Sequence, residues 1–175
     1  MLINFIEQLI NGLRTGSIYA LIAIGYTMVY GIAKMINFAH GDIIMVGAYA
    51  LYFSISVLGL PVPIALLITV IICGVLGVMI EKVAYKPLRS APPLAVLITA
   101  IGMSFFLQSA SLLIFGSTPI PFQSVIPNVN ISIGPVVISS ITVVTLIVTA
   151  IAMILLTLFV NKTKLGSAMR AVSED

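Results

Sequence analysis

Charge is what this sequence has least of. Only 7% of its 175 residues are charged, against 61% hydrophobic. A soluble domain carries roughly 25% charged residues. The chain therefore lacks the polar surface that water demands, and soluble enzyme and binding-module classes are excluded. Cysteine is almost absent too. Cys73 stands alone in an apolar run, so no internal disulfide or cysteine-based metal site can form, and a buried, inert thiol is expected. There is one histidine, His40. A metal site would have to rest on His40, Asp42 and little else, and none is expected. No phosphate-binding glycine loop, nucleophile elbow or zinc spacing is present. The net charge of +3 comes from basic residues at the ends of hydrophobic segments. No basic patch interleaved with aromatics exists, so the charge does not point to nucleic acid. Met1 to Leu13 carries Glu7, no basic leader and no small-residue cleavage site. The first span is expected to stay in the protein as its own targeting signal.

What the chain does have is long apolar segments, each near the ~20 residues that cross a bilayer. They predict an all-α, polytopic membrane bundle, a single domain with segments at about 9–33, 43–58, 64–84, 94–115 and 136–160. Met1 to Leu13 is weakly amphipathic and either lies at the interface or leads into the first span. Gly12, Gly16 and Ala20 recur four apart, either a ridge for a neighbouring helix or chance. Gly59-Leu60-Pro61-Val62-Pro63 breaks the chain, and Pro119, Pro121, Pro127 and Pro135 make a regular helix improbable across 116–135. Thr142, Thr145 and Thr149 share one face of the fifth segment, where hydroxyls bond back to the helix or across to a neighbour. Lys82, Lys86 and Arg89, and later Lys162, Lys164 and Arg170, mark cytoplasmic ends. The side of the N-terminus stays open, because Arg14 and Lys34 pull in opposite directions.

One stretch departs from this plan. Met35-Ile36-Asn37-Phe38-Ala39-His40-Gly41-Asp42 places an amide, the histidine and a carboxylate within six residues. Ionisable groups cost several kcal/mol when taken from water unless paired or wetted, and inside membrane segments they face a cavity or mark a pathway. Gly41 permits the backbone to leave helical geometry. The octet predicts a break around residues 35–42, facing the protein interior. Two readings of its side chains coexist. In one, Asn37 and His40 bond the freed backbone groups while Asp42 caps the next helix. In the other, they touch a transported solute at a half-helix terminus. Asn37, Phe38, His40, Gly41 and Asp42 are the candidate pathway residues, with Tyr26 as possible apolar lining. No catalytic residue is expected.

Gly25-Tyr26-Thr27-Met28-Val29-Tyr30-Gly31, the octet itself, and Met45-Val46-Gly47-Ala48-Tyr49 together resemble the membrane permease subunits of bacterial branched-chain amino-acid ABC transporters. Gly16-Ser17-Ile18-Tyr19-Ala20-Leu21, Lys86-Pro87-Leu88-Arg89 and Arg170-Ala171-Val172-Ser173-Glu174-Asp175 fit the same pattern, so the resemblance runs through nearly the whole chain. Asp42 stands where glutamate is more usual, and Arg14 where an uncharged residue is common. Phe38, where related urea permeases tend to carry Met, favours amino acids. The resemblance implies an inner-membrane importer that works by alternating access. Its partners are a second homologous permease, two cytoplasmic ATPases that bind the ATP, and an extracytoplasmic solute-binding protein. No cofactor is expected in this chain. Arg170, Glu174 and Asp175 begin the family's ATPase-coupling loop, and since family permeases are longer, an N-terminal portion of such a permease is expected. The alternatives are an ion- or proton-coupled carrier or channel using His40 and Asp42, an ABC permease for another small solute such as urea, and, most remotely, an intramembrane enzyme.

Overall fold

The computed structural model describes residues 1–122, 127 and 129–174. They form two compact units, Met1–Lys34 with Ser124–Asp175, and Met35–Gln123.

The first unit begins with α1, an unbroken 32-residue helix from Leu2 to Ala33. At 1.5 Å per residue this is about 48 Å long, so the amphipathic start runs straight into the span. An added Cβ at Gly12 or Gly16 meets nothing within 4 Å among the described residues, so this small-residue ridge is not used within the unit. Two short strands follow, β1 (Asn130–Ile133) and β2 (Val136–Ser139), paired antiparallel with Asn130 opposite Ser139. Gly134 at φ 62° takes the first turn position, where primed hairpin turns need a positive φ. The expected helix from 136 therefore opens with four residues of strand, and α5 runs Ser140–Lys162. Period alone cannot separate a short apolar strand from the start of an apolar helix. Residues 123–126 and 128 of the proline-rich loop lie outside the described residues.

Helix α1 packs along α5. Arg14 Nη1 donates to the buried Thr142 hydroxyl at 3.5 Å, and Thr145 Oγ1 donates back to the Ile141 carbonyl at 2.7 Å. Both expected uses of the threonine face are present. Glu7 Oε1 accepts the Val137 amide at 3.0 Å, tying the first turns of α1 to β2. At its other end α1 stops at Lys34, a non-glycine residue at φ 53°, whose amide donates to the Tyr30 carbonyl. Lys34 Nζ reaches the Ser173 carbonyl at 2.6 Å, on the short helix α6 (Lys164–Glu174). Helices α1 and α5 thus run the same way, and Lys34 stands at the end of the unit that also carries Lys162, Lys164 and Arg170.

In the second unit, α2 (His40–Tyr52) runs on through a wide π turn at Phe53–Val57. Gly59 at φ 65° and the extended Pro61 reverse the chain into α3 (Val62–Ile80). A second π turn at Glu81–Tyr85 and a 3₁₀ turn at Lys86–Leu88 follow, then α4 (Pro93–Phe115). Proline in the first turn of α3 and α4 fits the fixed φ needed there and removes an amide with no helical partner. The core is small: Ala39, Ile80, Ala84, Tyr85, Ala100 and Leu107. Helices α2 and α3 cross closely at Gly47, where a Cβ would stand 2.9 Å from Cys73 Sγ, and that thiol faces the Ile43 carbonyl at 3.7 Å. The exposed pair Arg89–Glu81, at 2.7 Å, contributes at most about 1 kcal/mol.

The apolar surface is very large. Leu113 is 87% exposed and Ile114 72%, an arrangement water would penalise and lipid accommodates. Among the described residues five helical stretches, Leu2–Ala33, His40–Val57, Val62–Leu88, Pro93–Phe115 and Ser140–Lys162, are long and apolar enough to cross a membrane. The chain is an all-α multi-pass membrane protein, with one small hairpin among the described residues.

Candidate functional site at the helix break

The break lies at Lys34–Ala39, earlier than the glycine suggested. Gly41 sits within α2 in ordinary helical conformation, and the left-handed residue is Lys34. Asn37 organises the turn. Its Oδ1 accepts the Ala39 amide at 3.1 Å and the Tyr85 hydroxyl at 2.8 Å, while its carbonyl accepts the His40 amide at 3.3 Å. One amide side chain thereby holds the re-entry into α2 and fastens it to the π turn after α3.

Asp42 does not cap α2, whose N-cap is Ala39 with no side-chain cap bond. It stands inside the first turn, only 7% exposed, and turns toward α4. Gln108 Nε2 donates to Asp42 Oδ1 at 3.0 Å and to Ser104 Oγ at 3.1 Å. Asp42 Oδ2 is buried with no hydrogen-bond partner among the described residues. Buried carboxylate oxygens are normally satisfied, and each exception asks for an explanation. The capping expectation failed because the charge was placed by sequence position alone. The helix begins two residues earlier, and that rotates the carboxylate onto a neighbouring helix.

Of the other expected residues, Phe38 is exposed, His40 half-buried at the start of α2, and Gly41 exposed. Tyr26 lies half-buried on α1, in the first unit. Arg170 folds back on the end of α5, donating to Asn161 Oδ1 at 3.2 Å and to its carbonyl at 3.3 Å. Glu174 ends α6, and Asp175 lies outside the described residues. Among the described residues no group of three or more His, Cys, Asp or Glu side chains is placed to hold a metal ion.

Sequence reasoning missed Gln108, Ser104 and Tyr85. A signal for the first was available: Gln108 is the single amide in α4, and Ser104, Gln108 and Ser111 recur at i, i+4 and i+7, one face of a helix. It also missed a cavity of about 360 Å³ beside α2, lined mainly by Met45, Tyr49, Tyr52, Ile120 and Phe122. Its walls are braced by ring contacts. Tyr49 stacks on Phe115 with centroids 4.0 Å apart, and Tyr52 meets Phe122 edge-on at 6.1 Å.

Comparisons with known proteins agree on kinship. The chain is 44% identical over 98% of its length to the high-affinity branched-chain amino acid transport system permease protein BraD of Pseudomonas aeruginosa. It is 42% identical to the permease protein LivH of Salmonella typhimurium and 41% to that of Escherichia coli K12, again over 98% of its length. The chain spans about three-fifths of those relatives, 60% of the first and 59% of the other two. No solved structure matches. The family described as branched-chain amino acid transport system / permease component matches residues 8–175, and the chain belongs to that family.

Proposed function

We propose that this chain is a permease component of an ATP-driven importer that passes branched-chain amino acids through the bacterial inner membrane by alternating access. The observation that carries the reading is the 44% identity over 98% of the chain to a branched-chain amino acid permease. The site supports it in kind. A helix break with a buried carboxylate, set among helices covered by lipid, is where transporters of this build handle polar groups of a solute. No covalent chemistry is performed on the solute. Asn37 fixes the break, Asp42 and Gln108 supply the polar contacts, and the aromatic cavity offers an apolar surface. ATP is bound by two partner ATPases, a second permease completes the pathway, and a solute-binding protein delivers the solute. Arg170, Glu174 and Asp175 lead into the segment that touches the ATPases.

The test is uptake of labelled leucine into membrane vesicles carrying the protein with its second permease, ATPases and binding protein. Uptake that needs ATP and is competed by isoleucine and valine is expected. Uptake driven by a proton gradient without the ATPases would make it a secondary carrier through His40 and Asp42. Preference for urea would reassign the solute. His40→Ala is expected to reduce uptake while membrane insertion, read by the amount of protein in the vesicles, stays unchanged. Equal loss of both would make His40 a structural residue only.

The basic end of the first unit also supports an orientation. Lys34, Lys162, Lys164 and Arg170 share it, which under the positive-inside rule favours a cytoplasmic position for it and an N-terminus outside. A Lys34→Cys substitution in a Cys73→Ala background is expected to react with a membrane-impermeant maleimide in inverted vesicles and not in right-side-out cells. Labelling only in intact cells reverses the assignment.

A further inference from the structure

The orphaned oxygen of Asp42 and one wall of the cavity, Met45, Tyr49 and Tyr52, belong to one face of one helix, while Ala48 and Leu51 extend the lining round its side. At 100° per residue, positions 42, 45, 49 and 52 fall within an arc of about 80°. The contacts to α4 agree. Asp42 meets Gln108 and, seven residues on along both helices, Tyr49 meets Phe115. A single strip between two helices running the same way therefore carries a carboxylate at one level. Within about one to three turns of it lies an aliphatic and aromatic cavity floored by Met45, Tyr49 and Tyr52.

From this strip we infer a binding site for a zwitterionic aliphatic amino acid, its ammonium group at Asp42 and its side chain in the cavity. The inference rests on the importer reading above and deepens it by naming the residues that meet the solute. Three features fit. A buried carboxylate with one oxygen unpartnered is short of a donor, and among the described residues the side chain that bonds it is the neutral amide of Gln108. Gln108 is itself exposed, so its amide can swing off the carboxylate without unpacking the core. An ammonium group entering there replaces a neutral donor by a charged one and adds an ion pair to a bond that is already charge-assisted. The rise from residue 42 to residue 45 is about 4.5 Å and to residue 49 about 10.5 Å. Those distances bracket the reach of a leucine from its nitrogen to its terminal methyls. The cavity, at about 360 Å³, is large enough for a branched side chain and is lined mainly by aliphatic and aromatic surface, as a site for several aliphatic side chains requires.

The experiment is equilibrium binding of labelled leucine to the purified permease–ATPase complex in lipid nanodiscs, without any solute-binding protein. The expected result is saturable binding that Asp42→Asn weakens more than tenfold and Asp42→Glu largely retains. Tyr49→Ala is expected to shift preference from leucine toward phenylalanine, while Asp42→Asn weakens all amino acids alike. The amine-free analogue 4-methylpentanoate is expected not to compete. Unchanged leucine binding in Asp42→Asn overturns the proposal. So does loss of the assembled complex in that variant, which would make the orphaned oxygen a contact for a partner subunit. Wild-type complex that transports leucine with its binding protein yet binds none alone also overturns it while leaving the importer reading intact. Absence of leucine transport by the wild-type system sinks the importer reading itself.

Discussion

Gly166→Ala is expected to break the joint between α5 and α6. Thr163 works for both helices there. Its hydroxyl donates to the Phe159 carbonyl at 2.6 Å at the end of α5, and accepts the Gly166 amide at 3.0 Å at the start of α6. The turn is so tight that a Cβ on Gly166 would collide with the carbonyls of Phe159 and Val160. These are backbone atoms, and no rotamer change moves them. The substitution must tilt α6 or unwind the end of α5, at a cost of about 3 kcal/mol, the upper part of the range for overpacking. Thr163→Ala, which removes only the cap, should cost about 1 kcal/mol. The position of α6 can be read directly. An added Cβ on Gly31 would stand 3.6 Å from Ser173 Cβ, within the separation a disulfide spans. Gly31→Cys with Ser173→Cys, in a Cys73→Ala background, is expected to cross-link on mild oxidation, and adding Gly166→Ala should abolish the cross-link. A cross-link of undiminished yield would show that the joint tolerates the methyl group.

Asn37→Leu should be the most damaging change at the break. Leucine has the same number of side-chain heavy atoms as asparagine in the same branched arrangement, so the effect reports polarity rather than a void. Oδ1 serves two donors, the Ala39 amide and the Tyr85 hydroxyl. Removing a shared acceptor leaves both without it, and each buried donor so abandoned costs about 1–3 kcal/mol. A loss of about 2–6 kcal/mol, read as a lower midpoint of thermal unfolding in detergent, is expected. Tyr85→Phe removes one donor and leaves the acceptor bonded to Ala39, so it should cost about 1 kcal/mol. The double variant should then lose less than the sum of the two single losses, because the shared bond can be removed only once. Strict additivity would mean that Asn37 and Tyr85 do not act on one another.

Much of this arrangement was legible beforehand, and the reasons differ by element. Helices of uniform hydrophobicity announce themselves, because only a bilayer tolerates so few charges over such lengths. Pro61, Pro63, Pro92 and Pro93 punctuate them with the local chemistry of the pyrrolidine ring. The octet stood out because its side chains are costly in lipid. The hairpin was not legible, since Val136-Val137-Ile138 suits a strand as well as a helix and only pairing with Asn130–Ile133 decides. Gly41 misled because permission to break a helix is not a requirement to do so, while Lys34 breaks it although lysine rarely adopts positive φ. Asp42 stands out in the sequence by its charge, but its partner lies 66 residues away on α4, a separation on which local propensity has no bearing.

The sequence alone therefore determined the solvent, the number of apolar segments, the place of the polar interruption and the kinship of the chain. Each is a property of composition or of short, contiguous residues. The tertiary structure alone decided which side chain answers which. It set Gln108 over Asp42, gave Asn37 two donors and stacked Tyr49, which lines the cavity, on Phe115. It also gathered Lys34 with the basic end of α5 and left Arg14 bonded to a buried threonine. These pairings depend on the rotation and register of packed helices, fixed by close approaches such as Gly47 against Cys73, and no single stretch of chain encodes them.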